Sequence, residues 1–279
     1  MINIFIFGQG AIYIPVTFRL VSTSEANVTK EDTTDKYRAP ALDKGLDILE
    51  LLAVQPGGMT RGEIVKALGR GPSEIYRMLE RLVVRGYVGR SLEGDRFALT
   101  TKLFQMGSSF PPIRRLVAQA QPMMDRFTQD TNQSVHLVIP EMGQSYVMAQ
   151  ASSQKVWEFR LRLGAKLDLF DTGSGRVLLA FMPEEHRAHA FDMHPDENAQ
   201  DVLKELAEIR ADGHRVRPSQ QLVGVTDITV PILAPNNTAA GVLTCPFLRM
   251  HHPAEKETDA QIAFCLQKLL DAAAHISSK

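Results

Sequence analysis

The chain of 279 residues has little cysteine: it contains only Cys245 and Cys265. Two cysteines in a chain of this length do not form a disulfide framework, so we expect a reducing, cytoplasmic setting. Neither cysteine belongs to a Cys-x-x-Cys pair or to another zinc-ligand spacing, which excludes a zinc finger or ribbon. A redox-active pair stays open as an alternative, because it requires only that the fold bring the two thiols together.

The sequence also lacks the patterns of common enzymes. It contains no Gly-x-Ser-x-Gly, no His-Glu-x-x-His and no P-loop. His186, His189 and His194 have a spacing that suits a metal ion, but the acidic residues around them favour a solvated helix and loop. We therefore expect no catalytic residues, no cofactor and no metal site. An enzyme with an attached nucleic-acid module remains an alternative that these absences oppose.

A targeting or membrane-spanning segment is not evident either. Residues 1–21 are apolar, but two glycines, a glutamine and a proline interrupt the run, and no basic start precedes it. Residues 22–38 are polar, with the composition of a flexible tail. We interpret residues 1–38 as a disordered N-terminal extension, either a genuine tail or the product of an upstream start codon. We expect no membrane association.

The net charge of −1 gives no global basic excess that would indicate nucleic-acid binding. The charge is unevenly placed, however. Residues 41–108 hold ten Lys and Arg against eight Asp and Glu, whereas residues 109–279 hold seventeen against twenty. The basic residues of the first region concentrate in one stretch: Arg70, Arg77, Arg81, Arg85 and Arg90. A run of charge alone usually marks a solvated helix face, so the surrounding elements decide its meaning.

Those elements form an ordered set. A helix over 41–53 with leucines at helical spacing is followed by a capping-box pattern, in which Thr60 is the N-cap and Glu63 reaches back to it. A short helix, a glycine-containing turn and a third helix over 73–85 come next, and two short strands around a turn occupy 87–99. This order predicts a winged helix-turn-helix.

The third helix suits the major groove of DNA. Its apolar stripe leaves the basic side chains outside, where arginine reads guanine and where residues near the helix start reach base edges. Glu74 either accepts from a cytosine amino group or stabilises the helix dipole. The candidate DNA-binding residues are Arg70, Ser73, Glu74, Tyr76, Arg77, Arg81, Arg90 and Arg96. A helical protein-interaction module with charged faces is the alternative.

The C-terminal half changes character. Leu103, Phe104 and Met106 predict a linker helix, and a long helical pattern begins at Ile113, after Pro111-Pro112. The predicted elements that follow are strands at 134–140, 144–150 and 157–163, helices at 174–182, 184–191 and 197–212, strands at 222–233 and 240–247, and a closing helix. Strands and helices mixed in this order predict an α+β sheet domain.

Residues 40–275 resemble the IclR family of bacterial transcriptional regulators. The stretches that carry the resemblance are 42–49 (LDKGLDIL), 73–79 (SEIYRML), 85–88 (RGYV), 163–165 (LGA), 172–180 (TGSGRVLLA) and 224–232 (GVTDITVPI). The resemblance implies an α+β chain with an all-α winged helix-turn-helix carrying a β-hairpin wing, a linker helix and a GAF-like α/β effector domain. We assign these to residues 39–100, 101–118 and 119–279. It also implies a homodimer and often a dimer of dimers, a homotetramer.

The resemblance places an effector pocket between the glycine loop and the late strands. Its candidate residues are Thr172, Gly173, Ser174, Asp227 and Thr244. The amide N–H groups at 172–175 suit a carboxylate, although an ordinary N-cap is an alternative. Family members that sense short-chain acids often carry cysteine where this chain has Asp227. The Asp227 carboxylate would repel an acidic ligand unless Asp227 is protonated or paired with a metal ion. A ligand with hydroxyl groups is therefore favoured, and it can also carry one acid group bound at the start of the helix. His136 is interpreted as a core histidine.

Taken together, these features predict a one-component transcription regulator. It binds double-stranded operator DNA through the winged helix-turn-helix and responds to a small polar metabolite in the C-terminal domain. Repressor and activator both stay open.

Overall fold

The computed structural model describes residues 39–92, 94–153, 159–195, 198–249 and 255–277. The described chain divides into two compact units between Arg114 and Arg115. That division falls inside the predicted linker, residues 101–118, which consists in the structure of one short helix and the start of a longer one. In the described residues, no helix is both long enough and apolar enough to cross a membrane.

The N-terminal unit contains short helices and a small antiparallel sheet. Its elements are α1 (Pro40–Ala53), β1 (Met59–Thr60), α2 (Arg61–Leu68), α3 (Pro72–Val84), β2 (Val88–Arg90), β3 (Arg96–Leu99) and α4 (Lys102–Ser109). The strands pair in the order β1-β3-β2. Strands β2 and β3 form the predicted wing, and β1 adds a third strand that the sequence pattern did not reveal because it is only two residues long.

Local chemistry sets the helix boundaries in this unit. The predicted capping box is present: the Thr60 side chain accepts from the Glu63 amide, and the Glu63 carboxylate accepts from the Thr60 amide at 2.7 Å. Pro72 begins α3, where its missing N–H has no helical partner to lose. Ile75 and Leu79 of α3 are fully buried in the unit's core. These contacts fix which side of α3 remains outside.

The leucine spacing of α1 is only partly a core pattern. Leu52 is buried, but Leu42 is 61% and Leu46 is 47% exposed. In α4, Phe104 is 76% exposed. These apolar side chains are not covered by the unit that carries them.

The C-terminal unit is built on a six-stranded antiparallel sheet. Its elements are α5 (Pro111–Thr131), which crosses the unit boundary, β4 (Val135–Glu141), β5 (Gln144–Ala151), β6 (Lys166–Leu167), α6 (Gly173–Phe181), α7 (Glu184–Asp192), α8 (Ala199–Asp212), β7 (Arg215–Pro218), β8 (Val225–Leu233), β9 (Ala239–Leu248) and α9 (Glu255–Ser277). The strand order is β6-β5-β4-β9-β8-β7.

Helices cover both faces of this sheet. Met124 of α5 and Leu269 of α9 pack with Ile228 of β8 in one core. Val177 of α6 packs with Val242 of β9 in a second core on the opposite face. Alternate residues of each central strand therefore point into different cores, as the period of two requires.

The predicted strand over 157–163 is wrong in its described part. Residues 159–163 are irregular, and Trp157 and Glu158 lie outside the described residues. Side chains accept the hydrogen bonds that a neighbouring strand would otherwise accept from this segment: the Phe159 amide donates to Ser134 Oγ at 3.3 Å, and the Leu161 amide donates to Gln150 Oε1 at 3.0 Å. The alternation is only partly reflected in burial, because Phe159 and Leu161 are half-buried but Leu163 is 59% exposed, and no described strand pairs with this segment. The predicted strand from 222 begins only at Val225, and β6 and β7 were missed.

A substitution at Gly175 can test how closely α6 packs against the main chain of Leu169. A Cβ at this position would overlap the main chain of Leu169, which cannot move aside as a side-chain tip would. We therefore expect Gly175→Ala to lower the free energy of unfolding by about 3 kcal/mol or more, because overpacking against backbone is poorly relieved. Chemical denaturation monitored by circular dichroism measures this. Gly62→Ala is the control, since nothing lies within 4 Å of its Cβ position. Equal stability of the two variants would contradict the packing argument.

Candidate nucleic-acid interface and ligand cavity

Helix α3 presents a polar and basic surface. Five of the predicted DNA-binding side chains are exposed on it: Ser73, Glu74, Tyr76, Arg77 and Arg81. Their exposure follows from the burial of Ile75 and Leu79 on the opposite side of the helix. The structure thus brings these residues to one accessible helix, with its first turn open to an anion.

Two of these arginines have no partner in the part of the chain that the structure describes. No hydrogen bond or ion pair joins the side chain of Arg77 or Arg81 to any residue that the structure describes. A guanidinium that satisfies none of its donors inside the protein can direct all of them to a phosphate or to a guanine edge. Arg77 and Arg81 are therefore the strongest candidates for direct contact.

Three other predicted residues form surface ion pairs. At N–O distances of 3.0 to 3.1 Å, these pairs are Glu74–Lys44, Arg70–Asp47 and Arg90–Glu80. Exposed pairs of this kind contribute at most about 1 kcal/mol each, so a phosphate can replace the carboxylate. These ion pairs therefore orient the side chains and still leave them available to bind DNA.

Arg96, unlike the other predicted residues, forms hydrogen bonds to backbone carbonyls of its own unit. Its Nε donates to the Gly57 carbonyl at 3.1 Å, and its Nη2 donates to the Gly58 carbonyl at 2.8 Å. Gly58 has a φ of +64°, and a Cβ there would lie 2.6 Å from the Phe97 carbonyl oxygen. The guanidinium therefore holds the glycine turn against the sheet, which is a structural role at the base of the wing.

Two residues that the sequence reasoning missed support this surface. The Arg61 guanidinium lies 4.4 Å from the centre of the Tyr76 ring, and Lys44 pairs with Glu74 as described. Arg61 belongs to α2 and Lys44 to α1, so only the packing of three helices brings them to α3. The cation–π contact restricts the orientation of Tyr76.

A small cavity in the C-terminal unit is lined by all five predicted effector residues. Its volume is about 50 Å³, and Thr172, Gly173, Ser174, Asp227 and Thr244 all form part of its wall. The residues come from the start of α6 and from β8 and β9, which are distant in sequence. The geometry therefore agrees with the juxtaposition that the resemblance implied.

Hydroxyl groups connect α6 to the sheet at this cavity. Ser174 Oγ and Thr244 Oγ1 lie 2.8 Å apart, and Thr244 Oγ1 lies 3.1 Å from Thr229 Oγ1. Thr172 is a working N-cap, since its Oγ1 accepts from the Gly175 amide at 3.0 Å. The amides of Gly173 and Ser174 have no acceptor among the described residues. The N-cap alternative is thus correct, and it still leaves two donors at the helix start.

The cavity also contains Asp227, which is partly buried. Burial raises the pKa of its carboxyl above the ordinary value, although a hydrogen bond with Ser219 and the charge of Arg215 oppose the increase. Repulsion of a bound acid by Asp227 is therefore weaker than the sequence alone suggests.

His136 is buried, as predicted, but it also lines the cavity. Its ring has no hydrogen bond to a described residue, so the interpretation as a core histidine describes only part of its position. Burial lowers the pKa of His136 to about 4. The imidazole is consequently neutral near pH 7, with one donor and one acceptor.

The two cysteines are brought together across β9 and α9. Cys245 and Cys265 are free thiols, both buried, and they interact directly. Burial raises the pKa of the Cys245 thiol, which disfavours the reactive thiolate. The hydrogen bond with Cys245 lowers the pKa of the Cys265 thiol, so the proximity that a redox pair requires is present, but both thiols are buried, unlike the exposed thiol that redox sensors use.

No cluster of three metal-binding side chains occurs among the described residues. His186 and His189 are exposed on α7. The His194 ring instead lies 4.7 Å from the centre of the Phe170 ring. The histidine spacing noted in the sequence therefore does not gather the three rings around one point.

Comparison with known proteins identifies similarity over most of the chain. Residues 41–91 match the IclR helix-turn-helix domain, and residues 113–278 match the C-terminal domain of the bacterial transcriptional regulator IclR. The regulator BhcR of Paracoccus denitrificans is 29% identical over 248 residues, covering 85% of this chain and 86% of that protein. The transcriptional repressor IclR of Escherichia coli is 23% identical, covering 66% of this chain and 71% of that protein. The crystal structure of Thermotoga maritima IclR has a TM-score of 0.68 and 25% identity, covering 85% of this chain and 97% of that one.

His136 predicts a specific pH dependence of stability. Its pKa of about 4 in the folded protein lies below the value of about 6.5 expected in the unfolded chain. Since the unfolded state binds the proton more tightly, the contribution to stability is complete above pH 6.5 and is lost as the pH falls from 6.5 to 4. The expected loss is about 3 kcal/mol.

Urea unfolding of wild type and His136→Gln between pH 4 and 7 measures this contribution. The variant should show the shallower decrease in the free energy of unfolding. His189→Gln removes an exposed histidine and is the control, with a profile like that of wild type. Parallel profiles for wild type and His136→Gln would show that His136 is not held neutral by burial.

Proposed function

Because the chain belongs to the IclR family of bacterial transcriptional regulators, we propose that helix α3 and the β-hairpin wing bind its operator DNA and that a small polar metabolite in the polar cavity changes this binding. Regulators of this family have a helix-turn-helix DNA-binding domain and a C-terminal effector domain. They are not enzymes. The residues that contact DNA and effector, the cytoplasmic location and the oligomeric state are the specific parts of the proposal.

One observation carries the DNA part of the proposal. Arg77 and Arg81 are exposed on α3, and neither has a partner among the described residues. Arg77 is assigned to a base edge, because it lies in the first half of α3, the part of a recognition helix that reaches bases. Arg90 of the wing and Arg70 of the turn are assigned to phosphates, which position the protein without reading sequence.

The effector part of the proposal concerns the cavity around Thr172, Gly173, Ser174, Asp227 and Thr244. These residues offer amide donors, hydroxyls and a carboxyl, a set that suits a small polar ligand with hydroxyl groups. The volume of about 50 Å³ corresponds to one or two water molecules, so a metabolite must enlarge the cavity to bind. A ligand that favours the enlarged conformation can change DNA binding only through its different affinity for the two conformations.

We further propose that the protein acts as a homodimer. Leu42 and Leu46 of α1 and Phe104 of α4 expose apolar surface in the N-terminal unit, as do Met106 and Phe110 at 53% and 52%. Burying such side chains between two copies removes them from water, and a two-fold dimer matches a palindromic operator. A dimer of dimers is compatible with this arrangement.

The first test concerns Arg77. We expect Arg77→Ala to weaken operator binding by about 1–3 kcal/mol and to relax sequence preference, as for an arginine that reads a base. Fluorescence anisotropy at fixed salt, with operator and scrambled duplexes, measures both effects. Arg126→Ala, which removes one positive charge from the C-terminal unit, is the control and should bind like wild type. Equal discrimination between the two duplexes by Arg77→Ala and wild type would contradict the assignment.

The second test concerns the dimer. We expect wild type to be at least dimeric at micromolar concentration in light scattering, and Leu46→Glu to shift it toward monomer, because a charge in an apolar interface is costly to desolvate. Leu92→Glu is the matched control, since Leu92 is fully exposed at the tip of the wing, away from α1 and α4. A monomeric wild type would overturn the proposal. An unchanged Leu46→Glu dimer would move the interface elsewhere.

A further inference from the structure

Three helices of the C-terminal unit, α6, α7 and α8, surround a cavity that the proposed function does not use. Its volume is about 180 Å³, which admits a group of several non-hydrogen atoms. It is lined by Ala180, Arg187, Leu203, Leu206, Ala207 and Arg210. None of these residues lines the proposed effector cavity, so the two sites are separate.

The two arginines of this cavity have no partner for their charge. No hydrogen bond or ion pair joins the side chain of Arg187 or Arg210 to any residue that the structure describes. Arg187 is half-buried, which limits the access of water to it. Two positive charges that line one small cavity repel each other. A bound oxyanion would offset this repulsion and accept hydrogen bonds from both guanidinium groups.

The sequence of α8 explains why Arg210 lacks a carboxylate partner. The residues three and four positions before it are Ala207 and Leu206, where a helical ion pair would need Asp or Glu. The carboxylates of Glu205 and Glu208 already bind arginines of β7, at 2.8 and 3.1 Å. The fold therefore supplies no anion of its own from this helix to Arg210.

Arg187 differs in having an acidic residue at helical spacing. Glu184 is three residues before it on α7, but the two side chains do not form an ion pair in the described structure. Since Arg187 lines the cavity and Glu184 does not, the guanidinium is available on the cavity side.

The remaining wall of the cavity suits a ligand that contains carbon. Leu206 is buried, whereas Leu203 is 48% exposed beside the two arginines. The Arg210 guanidinium lies 5.9 Å from the centre of the buried Phe181 ring, which restricts its orientation. An inorganic anion would leave Leu203 in water, but an organic anion would cover it.

We propose that this cavity binds a small organic dianion, either a phosphate ester or a dicarboxylate. Its negatively charged oxygens accept from Arg187 and Arg210, and its carbon atoms contact Leu203. Two negative charges match the two arginines, whereas a monoanion leaves one positive charge without a partner. Both kinds of ligand share this chemistry, so the experiment must distinguish them. The proposal goes beyond the proposed function and does not depend on it.

The first experiment compares dianions with neutral counterparts on the full-length protein at pH 7.5, where a phosphate ester is doubly charged. The ligands are glycerol 3-phosphate with glycerol, and succinate with 1,4-butanediol, in a buffer without phosphate or carboxylate. We expect at least one dianion to raise Tm, because a ligand that binds only the folded state stabilises it. The alcohols, and sodium chloride at the same ionic strength, should produce a smaller increase or none.

Variants locate the bound dianion. The double variant Arg187→Gln, Arg210→Gln should weaken binding in calorimetry by at least about tenfold, as loss of charge-assisted hydrogen bonds predicts. The double variant Arg126→Gln, Arg217→Gln is the control, because it removes the same charge from the same unit and should bind like wild type. If the first variant does not fold, Arg187→Lys with Arg210→Lys provides the test. It keeps both charges but loses the planar guanidinium, so it should also bind more weakly.

Binding of glycerol 3-phosphate alone would identify the ligand as a phosphate ester, and binding of succinate alone would identify it as a dicarboxylate. Two results would overturn the inference: neither dianion raises Tm more than sodium chloride does, or the arginine variants bind the dianion as tightly as wild type. In the second case the dianion binds elsewhere in the protein, and the proposed effector cavity would be unaffected. Failure of the proposed DNA interface or effector site would leave the present inference unchanged.

Discussion

A row of buried polar side chains crosses the sheet of the C-terminal unit, and its need for partners constrains much of that unit. Gln150, His136, Thr244, Thr229 and Arg215 are successive cross-strand neighbours on β5, β4, β9, β8 and β7. The last four are buried. Polar groups removed from water must be hydrogen-bonded inside the protein, so whatever packs on this side of the sheet must supply partners.

The start of α6 supplies several of them. Ser174 lies within hydrogen-bond distance of Thr244, which in turn contacts Thr229, and Gly175 packs so closely on the Leu169 main chain that no side chain fits between them. Glu205 of α8 serves Arg215 at the end of the row. Among the described residues, the His136 ring and Arg215 Nη1 have no hydrogen-bond partner, and His136 lines the cavity. A ligand in this cavity, as proposed above, is therefore expected to bind where the fold leaves polar groups without partners.

Much of this arrangement could be predicted from the sequence, because local patterns determine it. The capping box at Thr60, the exposed side of α3 and the hairpin wing depend on residues within a few positions of one another. The five effector residues came instead from the resemblance. Arg215 was missed, since a strand of four residues with two arginines and a proline gives no signal of burial. Its burial is evident only in the structure, where Glu205 of α8 accepts a hydrogen bond from it.

The same limit applies to two other features of the structure. Arg90 and Arg96 look equivalent in the sequence, yet Arg96 donates to two glycine carbonyls in a turn that is 38 to 39 residues earlier, while Arg90 pairs on the surface. Phe159 and Leu161 alternate like a strand, but side chains of Ser134 and Gln150 satisfy their amides. In both cases a hydrogen-bond partner distant in sequence decides the outcome, and period and propensity contain no information about such partners.

The two units differ in how far their arginine–carboxylate pairs are buried, and this difference is relevant to the proposed regulation. In the N-terminal unit the pairs of arginine with carboxylate are exposed, so they are weak and can be exchanged for phosphate. In the C-terminal unit Arg176 and Arg215 are buried around one carboxylate, where charges interact strongly and unpaired groups are costly. A change in charge near these buried groups therefore alters the energy of the C-terminal unit more than a change at the surface would. If the proposed effector binds in the cavity of about 50 Å³ beside them, this sensitivity gives it a means to shift a conformational equilibrium.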